Sequence, residues 1–389
     1  MSAVQSVLVV GGGAAGCATA ILLAEAGVAV DLVEIKPDVA TTGSGITLQG
    51  NALRVLRDLG VLDGVLAHGY AFDVLGLRTP DGTVIAEIPD ARTGGDDLPA
   101  TVGMPRPQLA RLLLDRAVDV GAKVRLATTV TSVSPDGDVA FSDGSAGHYD
   151  LVVGADGVRS RVRELAGIPA AVDPVGMGIW RVFTSRPASI ERTDLTYGGA
   201  AYIAGYCPTG ADSIYAYLVE DAQDRTGLSP DEQLATMRDL AAQYGGPWID
   251  IRERMTDAAR INYTHFESHV VDAPWHRGRV VVTGDAAHSC PPTLAQGCAQ
   301  ALEDAVVLAD ELLAAEDRET GDAAERSSTL EKALTAYVDR RLPRARTIVD
   351  GSVQLARWLL THEPPPRAGG TADVPGLLGR TAALLTQRP

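Results

Sequence analysis

The stretch from Ser6 to Glu34 constrains the fold more than any other. It reads SVLVV, GGGAAG, CATAILLAEAG and VAVDLVE in succession. An apolar β-branched run meets a glycine turn, a helix-compatible run closes on Gly27, and a second β-branched run follows. This is a βαβ unit, and strands apolar on both faces belong in a parallel sheet covered on both sides. Gly11, Gly13 and Gly16, with Ala15 among them, fit GxGxxG at the mouth of the helix. Such glycines allow a tight turn, let backbone N–H groups approach a pyrophosphate, and pack helix on strand. Glu34 ends the second strand, about 20 residues on, where an acid can accept hydrogen bonds from an adenosine ribose. The unit is suited to a dinucleotide. It does not distinguish NAD from FAD.

The chain has 389 residues, enough for about two domains with sizeable cores. It carries 34 Lys and Arg against 50 Asp and Glu, a formal charge of −16. That acidic balance argues against nucleic acid or an anionic membrane surface as partner, because both require basic patches. Cys17, Cys207, Cys290 and Cys298 have no zinc spacing and are too sparse for a disulfide scaffold, so reduced thiols and no metal are expected. MSAVQSVLVVGGG lacks the basic start of a secretory leader, and no apolar run approaches the roughly 20 residues that span a bilayer. A soluble cytoplasmic chain is the expectation.

Further along, LGLRTPDGTVIAEI forms a hairpin around Pro-Asp-Gly. PRPQLARLLLDRAVDVGA is an amphipathic helix with Leu109, Leu112, Leu113 and Ala117 on one face, ended by Gly121. KVRLATTVTSV and DVAFSD follow as strands, returning to the apolar DLVVGADG. From about 170 to 273 the texture changes to aromatic strands (GIWRVFTS, AAYIAGYCP, SIYAYLVE) with one helix around 230–244, an inserted sheet. RVVVTGD resumes the first style. EDRETGDAAERSS is expected as a loop, 330–361 as helix, and the Pro/Gly-rich stretch after Glu363 as a mobile tail.

Three further motifs carry a resemblance. GADGVRSRVR (154–163) is similar to GADGxxSxxR, GDAAHSCPPTLAQG (284–297) to GDAAHxxxPxxxQG, and GSGITLQGNALRVLRDLG (43–60) to GAGIxLxPNALRxLxxLG. With GxGxxG they occur in the order found in the class A flavin-dependent monooxygenases, the aromatic hydroxylase family. The resemblance implies an α/β fold like that of para-hydroxybenzoate hydroxylase. A Rossmann-like FAD-binding domain (1–70, 99–169 and 274–320) would carry an inserted, mainly antiparallel substrate sheet (71–98 and 170–273) and a C-terminal helical region (321–389). FAD would be held tightly but non-covalently. Gly45 and Arg106 would meet the flavin or its phosphates, the Val130 backbone the adenine, and Asp156 would order the dinucleotide site. Asp285 would accept from a ribityl hydroxyl, and the amides at Gly297, Cys298 and Ala299 would face flavin N1 and O2. Asp156-Gly157 alone is equally a helix-capping turn. Leu294 and Ala299 depart from the family, which often has Gly and Asn there.

The implied reaction takes NAD(P)H and O2 as co-substrates and hydroxylates a small phenolic or heteroaromatic ring through a flavin C4a-hydroperoxide. Only one dinucleotide fingerprint is present, so no obligatory reductase partner is expected, and the chain would act as monomer or homodimer. Strand alternation places Tyr202 and Tyr206 on one face and Tyr215 and Tyr217 on another common face, candidates for catalysis and for the substrate pocket. Packing aromatics would show the same pattern. Gln296 is a candidate polar contact, Pro292 stiffens the loop beside the ring, and Arg181 could hold a substrate carboxylate or a structural ion pair. His288 is expected to order Asp285. HFESH is not a zinc motif. A reductase or oxidase of the same fold, or a flavin redox sensor, would share the cofactor residues.

Overall fold

The computed structural model describes residues 4–39, 44–315, 323–361 and 373–389. The start of the chain, the polar stretch around 316–322 and the Pro/Gly-rich stretch 362–372 therefore lie outside the described residues. The βαβ unit forms as expected: strand Ser6–Val10, helix Ala14–Glu25 and strand Ala29–Val33. Ser6–Val10 sits third from one edge of a six-stranded sheet, between Ala29–Val33 and Leu151–Gly154. Lys123–Arg125 and Val280–Val282 extend it in parallel, and only the two-residue edge strand His276–Arg277 is antiparallel. Helices Ala14–Glu25 and Gly297–Ala314 pack together over this sheet, the small side chains of the first allowing close approach. Val7, Leu8, Val9 and Leu302 are almost wholly excluded from water, each worth about 1.5–3 kcal/mol of burial.

The second large sheet has eight strands in the order His288–Ser289, Ile261–Val270, Asp173–Ser185, Ser213–Asp221, Ile203–Pro208, Asp194–Tyr197, Val74–Arg78 and Val84–Pro89. All neighbours are antiparallel except Asp194–Tyr197 with Val74–Arg78. The expected hairpin at Pro-Asp-Gly supplies its far edge. Its other edge is part of the GDAAHS stretch, so the flavin-type loop and the aromatic sheet share a ladder. Helices Pro230–Ala241 and Pro247–Arg254 cover the back, packing Met237 and Trp248 against Trp180, Tyr206 and Leu218. A smaller sheet, Gly45–Gln49, Thr101–Pro105 and Tyr70–Phe72, packs against strands Ile203–Pro208 and Ser213–Asp221 of the second sheet and against helix Gly297–Ala314.

Three expectations are corrected, and one unassigned stretch gains an element. KVRLATTVTSV is not one strand: Ala127 adopts φ 53°, and Lys123–Arg125 stays in the parallel sheet while Val130–Val133 joins a separate three-stranded sheet. The break lets the Ala127 and Thr128 amides bond the carbonyls of Lys36 and Glu34. PWIDIRER, unassigned from sequence, is a helix opened by Pro at its first turn. The segment after Glu363 is no mere tail, because Val374–Thr386 is a helix. Its last carbonyls, at Leu384 to Gln387, accept from the buried Arg54 and Arg344 guanidinium groups. The long helix Ala323–Leu360 covers the expected 330–361 to within one residue, but it begins inside EDRETGDAAERSS, the stretch expected as a loop. No helix among the described residues is long and apolar enough to cross a membrane.

Candidate active site

The glycine turn is built for close approach. Gly11 has φ 112°, and a Cβ there would strike Ala155 and Asp156. One on Gly16 would overlap the Gly11 carbonyl, whereas one on Gly13 would meet open space. Gly13 caps helix Ala14–Glu25 without any side-chain partner, leaving first-turn amides for an anion. Glu34 accepts from the Gly12 amide at 2.7 Å and the Lys36 amide at 2.9 Å, which fixes its carboxylate at the strand end. Asp156 accepts from the Ser160 hydroxyl and from the amides of Arg161 (2.7 Å) and Val162 (3.0 Å). It is a helix-capping residue whose backbone also backs Gly11. Val130 is buried beside this corner.

The motif arginine, Arg163, joins the Asp156-Gly157 turn to the GDAAHS turn. Its guanidinium donates to the carbonyls of Ala286 (2.7 Å) and Val158 (2.9 Å) and to His269 Nε2 (3.3 Å). A guanidinium only donates, so Nε2 accepts and the Nδ1 hydrogen points at Ser289 Oγ, 2.9 Å away. Burial and the facing Arg163 push the His269 imidazole down to about 4.

Asp285 stands exposed just beyond strand Val280–Val282, in the field of Arg106 and His288. His288 does not bond it. Its Nε2 donates instead to Asp304 at 2.7 Å, and Asp304 also accepts from the Gly284 amide (2.8 Å) and Arg341 Nε (2.6 Å). Burial raises the Asp304 carboxyl, but His288 and Arg341 outweigh it and hold the group at about 2. Sequence reasoning missed this buried cluster, which also contains Glu303 and Arg344. The available signal was the adjacent acid pair in the otherwise apolar run ALEDAVVLA, answered by RRLPR in the last long helix.

Pro292 is exposed and opens the turn Pro292–Leu294, after which Ala295 takes a left-handed φ of 54°. Helix Gly297–Ala314 then begins without a side-chain cap, and the amides of Gly297, Cys298 and Ala299 find no protein acceptor among the described residues. Gln296 is not in the cleft as expected: its side chain is fully buried behind it, bonded to Asn51, Gln49 and Gln300.

Arg106, whose field reaches Asp285 and Cys298, also reaches Tyr215 on the front of the large sheet. Tyr215 and Tyr217 share that face, ring centroids 5.2 Å apart, and Arg181 donates to the Tyr215 hydroxyl at 3.2 Å and to Thr264. Tyr215 lies against Gly45, where a Cβ would collide with it, and within the field of Arg106. Neither Arg181 nor Arg106 has a carboxylate partner among the described residues. Burial pushes both phenols upward, so they stay protonated donors near neutral pH. The expected pairing of Tyr202 with Tyr206 is corrected. Strand Ile203–Pro208 begins after Tyr202, which packs with Met177 and Phe266 on the front and bonds Asp221. Tyr206 points to the back, against Trp248, and donates to Asp194 at 2.8 Å. The alternation in the sequence was right in period but could not say where the strand starts.

The donor set fits an FAD: a glycine cradle open at Gly13, an acid at the ribose end, an exposed carboxylate at Asp285, and uncapped amides where a flavin acquires negative charge. No group of three His, Cys, Asp or Glu among the described residues could hold a metal ion.

Comparison with known proteins agrees with this geometry. The FAD binding domain family matches residues 5–352. The chain is 31% identical over 402 residues to 3-amino-4-hydroxybenzoate 2-monooxygenase of Streptomyces cremeus, covering 97% of this chain and 96% of that one. It is 30% identical over 315 residues to 2-heptyl-3-hydroxy-4(1H)-quinolone synthase of Pseudomonas aeruginosa (strain UCBPP-PA14), covering 78% and 80%. Among solved structures, the tetrameric form of 2-methyl-3-hydroxypyridine-5-carboxylic acid oxygenase superposes with a TM-score of 0.78 at 26% identity, over 97% of this chain and 96% of that one.

Proposed function

This chain belongs to the FAD binding domain family and is an FAD-dependent monooxygenase of the aromatic hydroxylase type, and from that premise we propose that it uses NAD(P)H and O2 to hydroxylate a small electron-rich ring, phenolic or N-heteroaromatic, bearing an acidic group. FAD would supply hydride acceptance and activation of oxygen at C4a. Arg181 carries the substrate reading: it is a cation without a carboxylate partner among the described residues, beside the tilted pair Tyr215 and Tyr217. Its charge would bind a carboxylate or phenolate and lower a phenol's pKa, making the ring more nucleophilic. Tyr215 and Tyr217 would orient the ring by stacking and by donating hydrogen bonds, roles that their raised pKa values favour over proton abstraction. The sheet and the GDAAHS loop would exclude water from the reacting face.

On the cofactor side, Gly11, Gly13, Ala15 and Gly16 would hold the pyrophosphate, Glu34 the ribose, Gly45 and Arg106 the flavin side, and Val130 the adenine. Asp285 and the amides of Gly297, Cys298 and Ala299 would complete the grip. The division into a discontinuous FAD-binding domain, an inserted substrate sheet and a C-terminal helical region is part of the same proposal, as is action without a separate reductase. The benzoate and quinolone chemistry in the relatives' names supports a ring of this class. The test is a panel of phenols, hydroxypyridines and quinolones scored for matched NAD(P)H and O2 consumption. Stimulated flavin reduction without oxygen uptake would instead identify a reductase.

A further inference from the structure

Gln49 ends the strand Gly45–Gln49 on the same side as Gly45 and Thr47, since side chains alternate along a strand. Gly45 lies against Tyr215, and Thr47 Oγ1 is 3.9 Å from Cys207 Sγ, so this row faces the tyrosine wall of the cleft. Gln49 is half-buried, and its Oε1 accepts from Gln296 Nε2. Its own amide nitrogen has no protein acceptor among the described residues.

The direction of that contact is set from deep in the protein. Glu303, held as a carboxylate by Arg341 and Arg344, can only accept, so the Asn51 atom 2.9 Å from it is the NH2 group. The same Asn51 nitrogen donates to Gln296 Oε1 at 3.0 Å. A second arm agrees with the first. Arg341 donates to Gln300 Oε1 at 2.9 Å, which turns the Gln300 NH2 onto Gln296 Oε1 at 3.1 Å. Two chains anchored on fixed charges make Gln296 Oε1 an acceptor, so its NH2 faces Gln49 Oε1. The Gln49 NH2 group is thereby left to the cleft as a donor.

We propose that Gln49 is a hydrogen-bond donor to a ring carbonyl in the cleft, either the pyrimidine edge of FAD or a carbonyl of the aromatic substrate, with its polarity imposed by the buried Glu303–Arg341 ion pair through Asn51, Gln300 and Gln296. This rests on the reading of the cleft as a flavin and substrate site. One hydrogen bond of this kind corresponds to about a tenfold effect on a binding constant.

The experiment uses the holoenzyme and its Gln49→Leu and Gln49→Glu variants with two readouts. The first is the midpoint potential of bound FAD without substrate. The second is the affinity for 4(1H)-quinolone relative to quinoline, which lacks the carbonyl, followed by perturbation of flavin absorbance. If FAD is the acceptor, Gln49→Leu lowers the potential, a tenfold loss being about 30 mV for two electrons. If the substrate is the acceptor, the preference for 4(1H)-quinolone falls about tenfold while quinoline binding is unchanged. Gln49→Glu, an acceptor in place of a donor, moves the same readout further in the same direction. Wild-type values on both readouts in both variants overturn the proposal. Should the variants fail to fold, side-chain amide spectra of the wild type labelled at glutamine decide. A shift of the Gln49 NH2 signals on adding FAD or 4(1H)-quinolone supports the donor role, and unmoved signals overturn it. Failure of the hydroxylation reading is seen separately, as the absence of substrate-stimulated oxygen uptake.

Discussion

Asp285 and Asp304 lie 19 residues apart and have opposite settings, one exposed at the cleft and one wholly buried. Asp285→Ala removes a carboxylate that nothing in the protein consumes, so the fold should stand while FAD affinity falls roughly tenfold or more. Protein purifying fully yellow and holding its FAD through dialysis would contradict that role. Asp304→Ala strands Arg341 and His288 in a dry interior, and loss of about 3–5 kcal/mol in urea unfolding is expected whether or not FAD is present. Arg181→Gln should raise KM for an acidic ring by about tenfold or more, with a smaller change for a neutral one. Asp285 was legible because it opens a motif directly after an apolar strand. Asp304 was not, because its partners come from the GDAAHS stretch ahead of its helix and from another helix 37 positions on.

At the scale of elements, the C-terminal helix Val374–Thr386 acts as a lid on two buried cations. Its carbonyls receive Arg54 and Arg344, and Arg344 in turn holds Glu303. Truncation at residue 372 should therefore lower Tm by several degrees, since each hydrogen bond to a charged group contributes about 1.5–3 kcal/mol. An unchanged Tm would show that water replaces those carbonyls without loss. Strand alternation told correctly which of Tyr215 and Tyr217 go together, yet failed for Tyr202 because the strand starts at Ile203. The helix Pro247–Arg254 escaped notice because its sequence is short and strongly charged, and its stability comes from burying Trp248 and Ile251 against the sheet.

For the whole molecule, His269, His276 and Asp304 change stability in the same direction as the solution is acidified. His269 titrates near 6.5 when unfolded but at about 4 in place, because burial and Arg163 oppose its charge. Below 6.5 the unfolded chain therefore takes up a proton that the folded chain refuses, and stability falls by roughly 3 kcal/mol as pH drops from 6.5 towards 4. His276, lowered by burial, adds to the same loss. Asp304 contributes a second loss as pH falls towards about 2. Urea midpoints between pH 7.5 and 4.5 should fall steadily in the wild type and less steeply in His269→Gln. Parallel curves would remove His269 from the account.

By itself the sequence determined the dinucleotide fold and its FAD cofactor. Glycine conformations, β-branched strands and helix starts are local properties, carried by a few adjacent residues and therefore visible in one dimension. Only the tertiary structure decided which tyrosines face the cleft, that Gln296 lies behind it, and that Glu303, Asp304, Arg341 and Arg344 form one buried cluster. Those outcomes depend on where a strand begins and on which distant charges must neutralise each other out of water, and such long-range requirements leave no periodic trace along the chain.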